Sequence, residues 1–206
     1  MNRLPHVSPA LAASGALAAL FVLALPGARH ALESSMSAHM LVQFPLLGLC
    51  GFLLAGALPH GRRERLAAWN AYGIGGLFAT AVVLAILMIP RVLDLALADV
   101  RVELAKWLAL LLCGAAVRLS WRPAGLLVQG FFLGNVLPMM AAAGQLYQDS
   151  PSRLCNAYLL DDQVRLGQVL VGIAVAIGLA WMTQLLLALM RRDDTAALPT
   201  APTSLP

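Results

Sequence analysis

Charge is what this chain has least of. Only 12% of its 206 residues are Asp, Glu, Lys or Arg, against 60% hydrophobic, and mean hydropathy is +0.80. A soluble domain carries about twice that share of charge, so an ordinary soluble fold is excluded. Cysteine is nearly as scarce. Of three, Cys50 and Cys113 fall inside apolar runs and Cys155 in a polar connection, which rules out a disulfide framework. The first two read as small apolar packing residues, and Cys155 as the one thiol open to an oxidising, metal-accessible side. No CxxC, HExxH or Ser/His/Asp constellation is present, so nothing suggests an enzyme. Gly73-Ile74-Gly75-Gly76 stands in an apolar run with no strand before it, and reads as helix packing, not a phosphate loop.

What is present is a series of six apolar runs, about 9–26, 37–58, 69–90, 103–119, 124–146 and 164–190, each bounded by charge, Pro or aromatic residues. They predict an all-α, polytopic membrane bundle of about six transmembrane helices. One domain covers 1–192, and a tail over 193–206 without periodicity is expected to be disordered and cytoplasmic. The fourth run is the weakest, since its unbroken apolar stretch spans only 107–117. Trp107 and Trp121 are its expected interface anchors, with Lys106 and Arg118 snorkelling. The first run has the Arg3 and apolar stretch of a signal peptide. The segment Pro26-Gly27-Ala28-Arg29-His30-Ala31 lacks a good small-x-small cleavage site, which favours a retained helix.

Orientation follows from Lys and Arg. With six spans, one side holds Arg3, Arg62, Arg63, Arg65, Arg118, Arg122, Arg191 and Arg192, and the other Arg29, Arg91, Arg101, Lys106, Arg153 and Arg165. The dense clusters 60–65 and 191–192 lie on the first side, which puts both termini in the cytoplasm. A pI near 9.4 then reflects loops beside anionic lipid and calls for no nucleic acid.

Met36, His39, Met40 and Gln43 follow the i, i+3, i+4, i+7 spacing and share one helical face at the mouth of the second span. Met88, Met139 and Met140 fall at outer helix ends as well. Imidazole with thioethers suits soft Cu(I), with Met36, His39 and Met40 as candidate ligands and Met139 or Met140 completing the sphere from the fifth helix. The bland alternatives are methionine as a filler of membrane helices and His39 as a hydrogen-bonded packing residue. Nearby, Glu103 and Lys106 are spaced to neutralise each other at the interface. Glu33 and His30 precede the second span, Asp94 and Asp99 follow the third, and Asp161 and Asp162 are placed to cap the sixth. Gln129, Asn135 and Gln145 are placed to bridge helices. Pro45 and Pro138 should kink their helices and free carbonyls.

His39-Met40 followed by Gln43 resembles the HMxQH motif of the CtaG family, the caa3-type cytochrome c oxidase assembly factors. The stretch Leu160-Asp161-Asp162-Gln163-Val164-Arg165-Leu166-Gly167 resembles that family's DQxxAG segment, with Tyr147 upstream. Phe44 stands where the family has a second histidine, Gln43 comes one residue late, Leu166 replaces the alanine, and six spans are fewer than the usual seven. The resemblance, over roughly 33–185, implies a bacterial inner-membrane protein that handles copper for, or assists assembly of, a haem-copper oxidase. Its implied partners are oxidase subunits or a periplasmic copper chaperone. Two other readings remain open: a b-type haem electron carrier with His39 as an axial ligand, and an accessory subunit without metal.

Overall fold

The computed structural model describes residues 8–196, and every regular element among them is helical. Helix α1 is Pro9–Ala24 and α2 Pro26–Glu33. A single turn α3, Met36–Ala38, runs through a π-turn, His39–Gln43, into α4, Phe44–Gly56. Then come α5 (His60–Trp69), α6 (Ile74–Leu87), α7 (Pro90–Ala98), α8 (Val100–Ser120), α9 (Gly125–Asp149) and α10 (Leu160–Ala196). Residues 193–196, expected in a disordered tail, extend α10 as helix; 197–206, and Arg3 at the other terminus, lie outside the described residues.

Among the described residues three helical segments are long and apolar enough to cross a membrane: Met36–Gly56, Gly125–Asp149 and Leu160–Met190. Two bent pairs raise the number to five if each is one span: α1 with α2, at 76°, and α5 with the stretch Ala71–Leu87, at 66°. The protein is therefore a membrane protein built as an all-α bundle. Against the six runs read from sequence, the difference lies in α8. Its 21 residues reach about 31 Å, but Arg101, Glu103, Lys106 and Arg118 set it apart in composition.

The bends have local causes. Pro26 opens α2, and the residue before it, Leu25, is held extended, as a following proline ring requires. The second bend passes through Tyr72 and Gly73, both with positive φ (58° and 69°), and Asn70 clamps it by accepting from Gly76 N–H and donating to Ser120 Oγ. Gly73 thus turns the chain and, with Gly76, also packs it against the end of α8, since a Cβ on either would strike Ser120. In the second span, Pro45 lacks an N–H and its ring crowds the carbonyl one turn back. The helix widens just before it, so that Phe44 N–H reaches the His39 carbonyl. Pro138 sits inside α9, which is continuous through it.

Packing runs in the order α1, α4, α8, α6, α9, α10, with α10 returning to touch α3 at the His39 end. The closest pairs meet through glycine. A Cβ on Gly51 or Gly114 would strike the backbone of the facing helix between α4 and α8, and Gly144 and Gly167 play the same part between α9 and α10. Inside this ring lies an apolar cavity of about 560 Å³. The outer surface is rich in exposed Leu, Val, Ile and Phe, such as Leu127, Phe131 and Phe21, which suits contact with lipid tails.

Candidate functional site at the His39 end

The predicted face of Met36, His39, Met40 and Gln43 is buried throughout, with His39 and Gln43 fully so. His39 sits edge-on to Phe44, with ring centroids 5.4 Å apart. Its Nδ1 lies 2.6 Å from Tyr158 Oη and its Nε2 2.7 Å from Lys106 Nζ. As an ammonium, Lys106 can only donate, so Nε2 is the acceptor; neutral His39 is then the Nδ1–H tautomer, donating to Tyr158. Lys106 also donates to Gln43 Oε1 at 3.0 Å and pairs with Glu103 Oε2 at 2.7 Å. Gln43 turns its Nε2 toward Glu33 Oε1 at 3.3 Å, and Arg29 Nε contacts both Glu33 oxygens. Glu103 Oε1 accepts from the Trp107 indole at 2.6 Å and lies 3.8 Å from Arg29 Nε. Two cations and two carboxylates thus balance in one connected box.

This corrects three readings of α8 and its surroundings. Lys106 does not snorkel; its side chain is 1% exposed. Glu103 and Lys106 do pair, but inside the bundle, because His39 and Gln43 supply the remaining polar contacts that a buried ammonium needs. Trp107 is half-buried, with its indole N–H spent on Glu103.

Asp162 is corrected as well. Its carboxylate does not cap its own helix: it accepts from the Met36 backbone N–H and from Ser37 Oγ at 2.6 Å, capping the start of the second span from across the bundle. The neighbouring Gln163, fully buried, donates to the Tyr147 carbonyl and accepts from Leu154 N–H, pinning the 150–159 loop onto the helix ends. Cys155, expected to be open, is 1% exposed and directs its thiol at the Pro90 carbonyl. Burial, with the Asp94 carboxylate nearby, pushes its pKa up to about 12. Tyr158 in the same loop is likewise raised above the usual phenol range, by burial first and then by Glu33, and stays a neutral phenol. Gln129 does reach the end of α8, at the Trp121 carbonyl, whereas Asn135 and Gln145 bond within α9 instead of bridging helices.

The methionines divide. Met36 and Met40 join the buried core, and Met88 and Met140 pack against it. Met40, Met88 and Met140, from three different elements, line the 560 Å³ cavity directly below His39. Met139 faces a separate cavity between α6 and α9. Methionine thioethers are soft donors suited to Cu(I), and three of them belong to the lining of this one apolar space. Among the described residues no three His, Cys, Asp or Glu side chains converge as a metal site. His30 is exposed on α2 and His60 lies at the opposite end.

Sequence reasoning missed Tyr158 and the role of Arg29. The charged residues at the boundary of apolar runs were a usable signal for the box; a tyrosine in a polar loop carried none. No family model matches this chain, no curated protein matches it, and no solved structure matches it.

Proposed function

We propose that the protein is a non-enzymatic, multi-pass protein of the bacterial inner membrane, with both termini cytoplasmic, that handles Cu(I) in support of haem-copper oxidase assembly. One observation carries the reading: Met40, Met88 and Met140, from three elements, line a single apolar cavity. These thioethers would hold the ion, whose softness matches them and whose low charge suits an apolar wall. His39 differs from the expectation of a direct ligand. Both its nitrogens are engaged, so its part in this reading is to fix the helix that carries Met40. Copper and the oxidase connection draw support from the short HMxQH-like and DQxxAG-like stretches; the arginine clusters support the orientation.

The test is the copper content of protein purified under reduction from copper-replete membranes, with affinity measured by competition against a Cu(I) chelator. Met40→Leu with Met140→Leu should lose retained copper, and Met182→Leu, exposed on α10, should not. Copper unaffected by the double variant sinks the thioether site.

The engaged nitrogens of His39 favour a second reading, an accessory membrane subunit whose polar box only holds the bundle together. Absence of any tightly bound metal, with normal oxidase levels in the Met40→Leu, Met140→Leu strain, would select it. A Soret band in the purified protein would select a haem carrier instead.

A further inference from the structure

At the end opposite His39, a cavity of about 410 Å³ opens between α5 and the C-terminal turn of α8. It is lined by His60, Arg63, Arg118 and Arg122, with Glu64 as the only carboxylate among the described residues that line it. Glu64 is already in contact with His60, at 2.9 Å. Among the described residues no carboxylate lies within ion-pair distance of Arg63, Arg118 or Arg122. Two of the guanidiniums are positioned by the fold: Arg118 stacks on the Phe52 ring at 4.8 Å, and Arg63 donates through one Nη to the Gly56 carbonyl. The Arg63 Nε–H is shielded from solvent and has no acceptor. Phe52 lines both this basic cavity and the apolar one. A phosphate bearing hydrocarbon chains therefore finds cations and an apolar wall on either side of one residue.

We propose that this cavity binds the headgroup of an anionic phospholipid, with the phosphate between the three arginines and the chains running past Phe52 into the bundle. A buried donor lacking an acceptor, three uncompensated cations and an adjoining apolar wall fit that chemistry better than they fit a free anion, which would leave the wall unused. The proposal rests on the membrane character of the chain and is independent of copper.

The test titrates delipidated full-length protein in detergent with phosphatidylglycerol, phosphatidylcholine and inorganic phosphate, reading bound lipid by native mass spectrometry. Arg118→Gln with Arg122→Gln should weaken phosphatidylglycerol by about fivefold per arginine, while Arg118→Lys with Arg122→Lys keeps most of the affinity. Arg62→Gln with Arg65→Gln removes the same charge from outside the cavity and should change affinity by less than about twofold. An equal loss in that control would show diffuse surface charge and overturn the site. Inorganic phosphate or phosphatidylcholine binding as tightly as phosphatidylglycerol would overturn the anionic-lipid assignment. Should the double Gln variant prove unstable, Arg122→Gln alone decides, since Arg122 makes no hydrogen bond or ion pair with any of the described residues. A fivefold loss supports the proposal, and an unchanged affinity overturns it.

Discussion

The two ends of this bundle treat charge in opposite ways. At the His39 end two cations and two carboxylates are drawn among apolar helices and joined to His39, Gln43, Trp107 and Tyr158, with no net charge left over. At the Arg118 end three arginines stand around an open cavity with no carboxylate among the described residues within ion-pair distance. The difference follows from where a charge can be satisfied. Inside the bundle an ion has no water, so each must meet its counter-ion and fill its hydrogen bonds from neighbouring helices. At the open end water or a phosphate can do that, and the cations need not be matched. One end therefore holds the helices in place; the other is free to bind.

The sharpest way to break this contrast is to remove one cation from each end. Lys106→Met leaves Glu103 buried beside its lost partner and His39 Nε2 without a donor, and should cost about 3–5 kcal/mol of stability. Arg122→Gln should change it by no more than about 0.5 kcal/mol. Thermal unfolding in detergent compares the two directly, and equal effects would mean that the box is no more structural than the surface. Adding Glu103→Gln to Lys106→Met removes the stranded carboxylate and should recover part of the loss.

Asp162 extends the comparison to helix ends. Its carboxylate accepts three bonds at the start of the second span, from the Met36 and Ser37 backbone N–H groups and from Ser37 Oγ, so Asp162→Ala should cost about 1.5–3 kcal/mol. Asp161, exposed one residue earlier on the same helix, should tolerate alanine with a few tenths of a kcal/mol lost. If the two variants unfold together, the cross-bundle cap contributes nothing beyond ordinary helix-end charge.

Tyr158→Phe keeps the ring packed near His39 and deletes only the acceptor for Nδ1–H, an expected loss of about 1 kcal/mol. Its diagnostic value lies in the tautomer. Nitrogen NMR of labelled His39 should report Nδ1 protonated in the parent protein, and a dominant Nε2–H form would refute the donor assignment of Lys106.

How far the sequence reveals this arrangement depends on distance along the chain. Apolar runs locate the helices, because the bilayer imposes their length and the backbone must satisfy itself within them. The spacing of residues 36, 39, 40 and 43 puts them on one face, and that face is buried. Pro26 and Pro45 announce a bend and a widened turn by the N–H they lack. Partners are another matter. Lys106 meets His39 across 67 positions, Tyr158 meets it across 119, and Asp162 caps Met36 across 126. No periodicity links such residues, and the local roles open to them, snorkelling for Lys106 and self-capping for Asp162, were the ones the isolated segments suggest. Arg118, by contrast, stays exposed as its local setting indicates, yet the ring it stacks on, Phe52 of α4, is again a partner no local pattern announces.

Cys155 gives the smallest effect and separates the closed end from solvent most simply. A thiol reacts with maleimide or iodoacetamide as the thiolate. With its pKa pushed up to about 12 by burial and by Asp94, the thiolate is scarce at pH 8, so labelling of the folded protein should be slower by orders of magnitude than after denaturation. Cys50 and Cys113 are also buried, so the site must be identified by peptide mapping, with Cys50→Ser and Cys113→Ser as background. The sign of the linked pH effect is fixed. The folded state holds this proton to about 12, whereas an unfolded thiol releases it near 8.5. Folding is therefore favoured below that lower value, and the contribution is lost as pH rises from about 9 toward 12. Replacing Cys155 by Ala should remove that slope while leaving stability at pH 7 lower only by the lost packing of a small side chain. Rapid labelling of Cys155 in the folded protein at pH 8 would mean that the 150–159 loop opens readily. In that case the seal that Gln163, Tyr158 and Asp94 place over the His39 end is transient, and the contrast between a closed and an open end fails.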